Sequence, residues 1–402
     1  MVLPALPAYS ETFFRSKIHG LIDHGYEVIL FIGGGSRHTD LDCKVVFQNK
    51  VAGSRVLLPI RIALVLFKAF LFFPATTRRF LSFEKQEGLG LKKRIENLFI
   101  NYHILSQKKL DFLHFGYTTV TIRRENVAKA VGARCSLSMR GYDINVYPLM
   151  NPGCYNQLWK HLDKVHTISD DLKKKAISLG MPSDTNVQKI TPAIDAESIP
   201  VRIKMGLEGH GNIKILTVAR LHWIKGLEYA FRAIQLLKSQ EIKVQYDIIG
   251  TGSEAERLAF TVHQYGLESE VNFLGKRPHL EIQKSLQQYD IYLQPSLEEG
   301  FCNAVLEAQA AGLYCIVSET GGLVENVSNG ESGWTVPPRD SKALADKIIE
   351  VIRLPQEQLS RVSKTARKRV LEKFNLEKQQ KEFVDFYRND GHKRHEILEF
   401  NT

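Results

Sequence analysis

Two carboxylates eight residues apart, Glu299 and Glu307, bracket the stretch Gly300-Phe-Cys-Asn-Ala-Val-Leu306. The apolar run before them, Ile291-Tyr-Leu-Gln-Pro-Ser296, reads as a buried strand ending in a turn. The run after them, Ala308-Gln-Ala-Ala-Gly312, reads as a helix stopped by glycine. Glu299 is therefore expected near a helix N-terminus, where backbone N–H groups are unpaired. Glu307 is expected two turns into an alanine-rich helix. A carboxylate there needs a partner, because burying it alone is costly. A pair of ligand hydroxyls is one such partner; a helix cap and an ordinary salt bridge are the alternatives.

Two cations form a second set. Ile213-Lys-Ile-Leu-Thr-Val-Ala219 reads as a strand and Leu227 to Leu237 as an amphipathic helix, with Arg220 and Lys225 between them. A helix N-terminus favours diphosphate, because free N–H groups and the helix dipole meet there. Arg adds a bidentate fork and Lys a point charge. Taken alone, two cations at a turn read equally as surface charge. Glycine turns complete the pattern: Gly252 after Ile248-Ile249, Gly275 before Lys276, and Gly321-Gly322 after Tyr314 to Ser318. Glycine lets backbone approach a ligand closely, although a tight turn needs it as well.

The elements that must position these residues alternate, strand then helix, about five times in the second half of the chain. That is the pattern of a doubly wound parallel sheet, which binds ligands at the carboxyl ends of its strands. Arg220, Gly252, Glu299 and Gly321 all follow strands, so they are expected to converge on one edge.

With these residues in place the chain resembles the family 4 retaining glycosyltransferases. The resemblance runs from about Pro7 to about Tyr387 and is densest from Ile213 to Trp334. It implies an α/β chain of GT-B fold, with two doubly wound Rossmann-like domains facing across a cleft. It implies that Arg220 and Lys225 bind and stabilise a departing donor diphosphate, that Glu299 contacts the donor sugar, and that Glu307 holds the nucleotide ribose. Gly300, Phe301, Asn303 and Val305 go with them at the donor. Gly252 and the Gly321-Gly322-Leu-Val-Glu325 loop face the phosphate or sugar, and Gly275 and Lys276 lie near the base.

In the first half, Pro7-Ala-Tyr-Ser10-Glu11-Thr12-Phe13 resembles the opening of colanic-acid-type exopolysaccharide glycosyltransferases, with a helix from Phe14 to Asp23 and a strand from Tyr26 to Ile32. Only about six residues precede that opening, so the first strand is expected to be short, or the start to be assigned late. His114 ends the run Leu110-Asp-Phe-Leu-His and resembles a cleft histidine; a structural role stays open for it. Arg140, in Met139-Arg-Gly-Tyr-Asp143, stands where many relatives have histidine. An arginine cannot serve as a base at neutral pH. It is left between binding an anionic acceptor or charge and pairing with Asp143 or Asp170. The expected domains are an acceptor-binding domain at 1–195, a nucleotide-sugar domain at 196–375, and a helix crossing back, with a polar tail, at 376–402.

At 402 residues and 44% apolar, the chain can bury two ordinary cores. Five scattered cysteines without metal or disulfide spacing point to the cytoplasm. No metal and no cofactor beyond the nucleotide-diphosphate sugar is expected. The net charge of +10 lies wholly within residues 1–200. No nucleic-acid motif accompanies it, so nucleic acid is set aside. A lipid surface or a polyprenyl-diphosphate-linked or saccharide acceptor is favoured. The segment from Val56 to Phe73 is apolar, with Arg61 and Lys68 seven apart. Two charges and Pro59 make it a poor membrane span. It is left open between an interfacial helix on the inner face of an anionic membrane and a buried helix. The function expected is transfer of a hexose, retaining and metal-independent, from a nucleotide sugar, UDP preferred, to a surface polysaccharide. A phosphorylase or sucrose-synthase-like enzyme and a non-catalytic nucleotide-sugar-binding subunit are the alternatives.

Overall fold

The computed structural model describes residues 1–7, 12–35, 40–49, 57–203, 207 and 211–388. Ser10 and Glu11, Val56, and the tail from 389 onward lie outside them.

Among the described residues thirteen strands, none longer than six residues, form two wholly parallel sheets. The first holds β1 (Val2–Leu3), β2 (Ile29–Ile32), β3 (Lys44–Phe47), β4 (Phe112–Phe115), β5 (Arg134–Met139), β6 (Lys164–Thr167) and β7 (Val187–Lys189), in the order β3-β2-β1-β4-β5-β6-β7. The second holds β8 (Ile213–Val218), β9 (Val244–Ile249), β10 (Val271–Gly275), β11 (Ile291–Gln294), β12 (Tyr314–Ser318) and β13 (Trp334–Val336), in the order β10-β9-β8-β11-β12-β13. Each order reverses once, between β1 and β4 and between β8 and β11. Those are the switch points where an open α/β sheet offers a crevice. The central strands are continuous apolar runs because both faces are covered: β11 and β12 are buried throughout.

The short first strand expected from the sequence is the two-residue β1. It pairs Val2 with Phe31 on one side and with Phe115 on the other. β2 is shorter than expected, starting at Ile29 rather than Tyr26.

Helix 376–387 packs against helix 12–23, so the end of the chain returns to the first sheet's half. Gln379 donates to Thr191 O at 2.7 Å, and Lys164 Nζ to Phe386 O at 2.9 Å. Phe383, Phe386 and Tyr387 are buried there, each contributing roughly 1.5–3 kcal/mol of burial. The segment joining the halves is tied down as well. Ile194 N donates to Phe374 O at 2.9 Å, and Arg202 forms a buried ion pair with Asp290.

Between β3 and β4 three helices, 57–72, 74–86 and 91–105, leave the regular strand–helix alternation. Of the two readings of the first helix, burial fails. Only Ala69 is buried, and most of its large apolar side chains are exposed.

Candidate donor site

The turn after β8 carries Arg220 and Lys225. As expected, both lie in the turn before the helix that follows. A short turn at Trp223–Lys225 and the left-handed Gly226 come first, and the helix starts at Leu227. Gly226 allows the turn to press on the end of β11, since a Cβ there would strike Pro295 O. Arg220 is exposed and makes no hydrogen bond or ion pair among the described residues.

Lys225 Nζ reaches across to Glu299 Oε2 at 2.5 Å, with both side chains largely buried. Burial alone would push the lysine pKa down. The Glu299 carboxylate, with Cys302 and the hydrogen bond itself, reverses this and holds the ammonium above its ordinary range. Ser296 Oγ donates to the same Glu299 oxygen at 3.2 Å. Ser296 in turn receives Gln294 Nε2 at 2.8 Å, and Gln294 Oε1 receives Tyr292 OH at 3.0 Å. All three of these side chains are buried, so the end of β11 and Ser296 just beyond it fix the carboxylate's position. Sequence reading missed Ser296; its place three residues before Glu299, just after a proline, was the available signal.

Two loops lie against Glu299. Gly322 N donates to Glu299 O at 2.7 Å, and a Cβ on Gly321 or Gly322 would collide with Glu299 O or Gly300 O. On the other side a Cβ on Gly300 would collide with Arg140 O. The halves of the molecule thus meet backbone to backbone at Gly300. Polar bridges flank this meeting. Glu298 takes Asn145 Nδ2 at 3.1 Å and Lys175 Nζ at 2.7 Å, while Glu325 takes Asp170 N at 2.7 Å and Lys189 Nζ at 3.0 Å. Glu298, Asn145, Lys175 and Lys189 were not marked by the sequence, and Asp170 was weighed only as a partner of Arg140, because each bridge joins distant stretches of chain.

Helix 303–311 begins at Asn303. Reciprocal bonds between Cys302 and the buried Asn326, 2.9 and 3.1 Å long, fix its start. Val305, expected at the donor, is wholly buried in the core. Phe301 packs on Phe374 with ring centroids 5.6 Å apart. Both side chains are packing residues: the helix turns Val305 into the core, and Phe301, two residues before the helix, is held against Phe374.

Glu307 is buried within this helix, and its partner is His279, whose Nε2 lies 2.6 Å from Oε1. The hydrogen bond to Glu307 outweighs burial and raises the imidazole pKa. His279 opens helix 279–286, directly after the turn of Gly275 and Lys276; Lys276 is exposed. Only the proline before it hinted at a helix start, so the sequence did not reveal it. The turn after β9 carries Gly252 and joins the β8 turn, Leu221 N donating to Thr251 O at 3.0 Å.

On the opposite half the two expected residues part company. His114 is not a cleft residue. It is buried, with Nδ1 2.9 Å from Ser136 Oγ and Nε2 2.9 Å from both Lys17 Nζ and Ser138 Oγ. Phe386 and Tyr387 of the returning helix lie edge-on to it. Burial, then the charge of Lys17, holds its pKa well below the usual range. Arg140 does lie at the meeting of the halves, but Asp143 serves its backbone. The Asp143 carboxylate accepts N–H from Arg140, Gly141 and Thr118 at 3.1, 2.8 and 2.9 Å. The Arg140 guanidinium lies over Phe13 at 3.7 Å and Phe14 at 4.6 Å, a cation–π arrangement.

Known proteins resemble this chain in sequence and in fold. Residues 203–369 match the family described as glycosyl transferases group 1. The chain is 28% identical over 391 residues to a protein named for colanic acid biosynthesis in Salmonella typhimurium, covering 92% of this chain and 94% of the relative. It is 28% identical over 371 residues to the amylovoran biosynthesis glycosyltransferase of Erwinia amylovora, covering 86% and 88%. Among solved structures, sucrose-phosphate synthase from Thermosynechococcus elongatus superposes with a TM-score of 0.70 at 17% identity, over 95% of this chain and 93% of that one. Anabaena HepE, solved with UDP and glucose, gives 0.69 at 14%, over 96% and 97%. Residues 203–369 thus resemble the group 1 glycosyl transferases, and the chain as a whole has the GT-B fold.

Proposed function

We propose that the protein is a retaining glycosyltransferase that moves a hexose from a UDP-sugar to a saccharide or polyprenyl-diphosphate-linked acceptor in exopolysaccharide assembly, at the cytoplasmic face of an anionic membrane. The observation that carries this reading is the Lys225–Glu299 pair at the carboxyl edge of β8 and β11, with the exposed Arg220 beside it. Relatives named for colanic acid and amylovoran biosynthesis support the acceptor class. The structural likeness to HepE, which holds UDP, favours the nucleotide.

In this reading Arg220 and Lys225 neutralise the diphosphate, so no metal is required. Glu307 receives the ribose hydroxyls and Glu299 the donor sugar. The bond from the anomeric carbon to the β-phosphate oxygen breaks while the acceptor oxygen bonds on the same face. The acceptor proton goes to the departing phosphate oxygen. That assignment follows from the side chains at hand: His114 is enclosed, Arg140 is no base, and Glu299 is held by Lys225. Closure of the two halves at Gly300 would keep water from competing.

The test is release of nucleotide from UDP-, GDP- and ADP-sugars in the presence of a lipid-linked saccharide, with the anomeric configuration of the product read by NMR. Release from a UDP-sugar with retention agrees. Inversion, or turnover with free phosphate as the acceptor, would replace the reading. Tight binding of nucleotide with no turnover would favour a binding subunit.

A further inference from the structure

Helix 57–72 has two apolar faces. Leu58, Ile62, Val65, Leu66 and Ala69 turn toward the protein, at least partly buried. Leu57, Ile60, Leu64, Phe67 and Leu71, at helical spacing, turn outward and are 54 to 65% exposed. Soluble surfaces seldom carry so continuous a large apolar stripe. Beside it an apolar groove of about 530 Å³, lined by Leu58, Pro59, Ile62, Ala63, Leu66 and Ile95, joins this helix to helix 91–105.

Charge is distributed around this surface in one sign. Residues 57–105 hold eight Lys and Arg against three Glu. All three acids are engaged within the protein: Glu84 with Asn97 at 2.6 Å, Glu87 with His161 at 2.8 Å and Glu96 with Arg123 at 3.2 Å. Arg61, Lys68, Arg78, Lys85, Lys92 and Lys93 are exposed. Arg61 and Lys68 edge the apolar stripe, where their stems can lie along it with the charges raised. Ile95 lines the groove with Leu58 and Pro59, so the exposed Leu91 and Lys92 lie about one turn away at the same end.

We propose that the insertion 57–105 is the protein's docking surface for an anionic lipid bilayer, with helix 57–72 lying in the plane of the interface. A span is disfavoured by length. Sixteen residues cover about 24 Å of the ~30 Å a membrane core requires. Helices 57–72 and 74–86 together are long and apolar enough, but they bend by 116° at their junction. A second copy of the chain fits less well, because two such faces would oppose cation to cation. An anionic headgroup layer over an acyl interior matches both the exposed cations and the apolar stripe. This inference does not rest on the proposed transfer reaction, since it is read without substrate.

The experiment is flotation of the full chain with phosphatidylcholine vesicles, with and without phosphatidylglycerol. Three variants accompany it: Leu64→Ser/Phe67→Ser/Leu71→Ser, Lys92→Glu/Lys93→Glu, and Phe260→Ser as an exposed apolar control on the other half. The wild type is expected to float with phosphatidylglycerol vesicles, less as salt rises. The triple variant should lose about a hundredfold or more in partitioning and the double variant about tenfold or more. The control should keep its binding. Thermal melts of all variants check folding, and because the altered side chains are exposed, unchanged midpoints are expected. No flotation of the wild type with phosphatidylglycerol vesicles, or equal flotation of the triple variant, overturns the proposal. Sedimentation showing a vesicle-free dimer that the triple variant abolishes would overturn it in favour of a second copy.

Discussion

His279 Nε2 lies 2.6 Å from Glu307 Oε1, so the carboxylate proposed to hold a ribose is already anchored by one oxygen. Its other oxygen accepts no hydrogen bond among the described residues. His279 is therefore a positioning residue in the proposed donor site. Replacing it by Ala should weaken UDP binding roughly tenfold while leaving 2′-deoxy-UDP nearly unchanged, with partial rescue by Gln. Calorimetry of both nucleotides checks this. An equal loss for both would mark a merely structural role. Equal affinity of the wild type for both would instead undercut the ribose assignment.

Lys225 and Glu299 neutralise each other before any donor arrives. Lys225→Ala should lower kcat by about two to three orders of magnitude, as removal of a group that stabilises developing charge does. Glu299→Gln should also lower kcat, yet UDP should bind at least as tightly, because the lysine loses its competing carboxylate. Titration of each variant with UDP separates the two effects.

The first half carries buried histidines that resist protonation. Burial and then Arg124 depress His103 to about 3, and burial with Lys17 first among the charges holds His114 and His166 well below their usual range. Depressed groups contribute stability that is present above the unfolded pKa of about 6.5 and is lost as pH falls toward the folded value. His279, with its raised pKa, acts in the opposite sense and offsets part of this. Stability should therefore fall as pH drops below about 6. Hydrogen exchange across a pH series should show residues 1–189 opening before 213–336. Simultaneous opening, or stability flat to pH ~4.5, would contradict it.

On the proposed function, Arg220 and Lys225 neutralise the diphosphate in place of a divalent cation. Turnover should be unchanged by a chelator, whereas Arg220→Ala should lower kcat about a hundredfold or more. A chelator-sensitive rate restored by magnesium would show that a metal shares the task.

The strand–turn–helix rhythm of the second half was readable because each strand is an unbroken apolar run closed by glycine or a polar turn, as in Ile213–Val218 and Tyr314–Ser318. The positions of Arg220, Lys225, Glu299 and Glu307 followed from it. His114 was harder to place. Alternation along β4 names two faces but not which one another element covers, and the cover, Phe386 and Tyr387, comes from the far end of the chain. His279 was invisible for a similar reason, since its pairing with Glu307 joins two helices without any sequence spacing to mark it. Helix 57–72 was ambiguous because an apolar helix reads alike whether its second face meets protein or lipid.

On the proposed function, the carboxyl edge of β8 and β11 binds and activates a nucleotide sugar. The most direct measurement is single-turnover release of UDP from UDP-hexoses by the wild type, Lys225→Ala and Glu307→Ala. Release is expected from one UDP-hexose, about a hundredfold or more slower in Lys225→Ala with binding largely retained, and donor binding is expected to weaken in Glu307→Ala. Release at wild-type rates and affinities in both variants would contradict it.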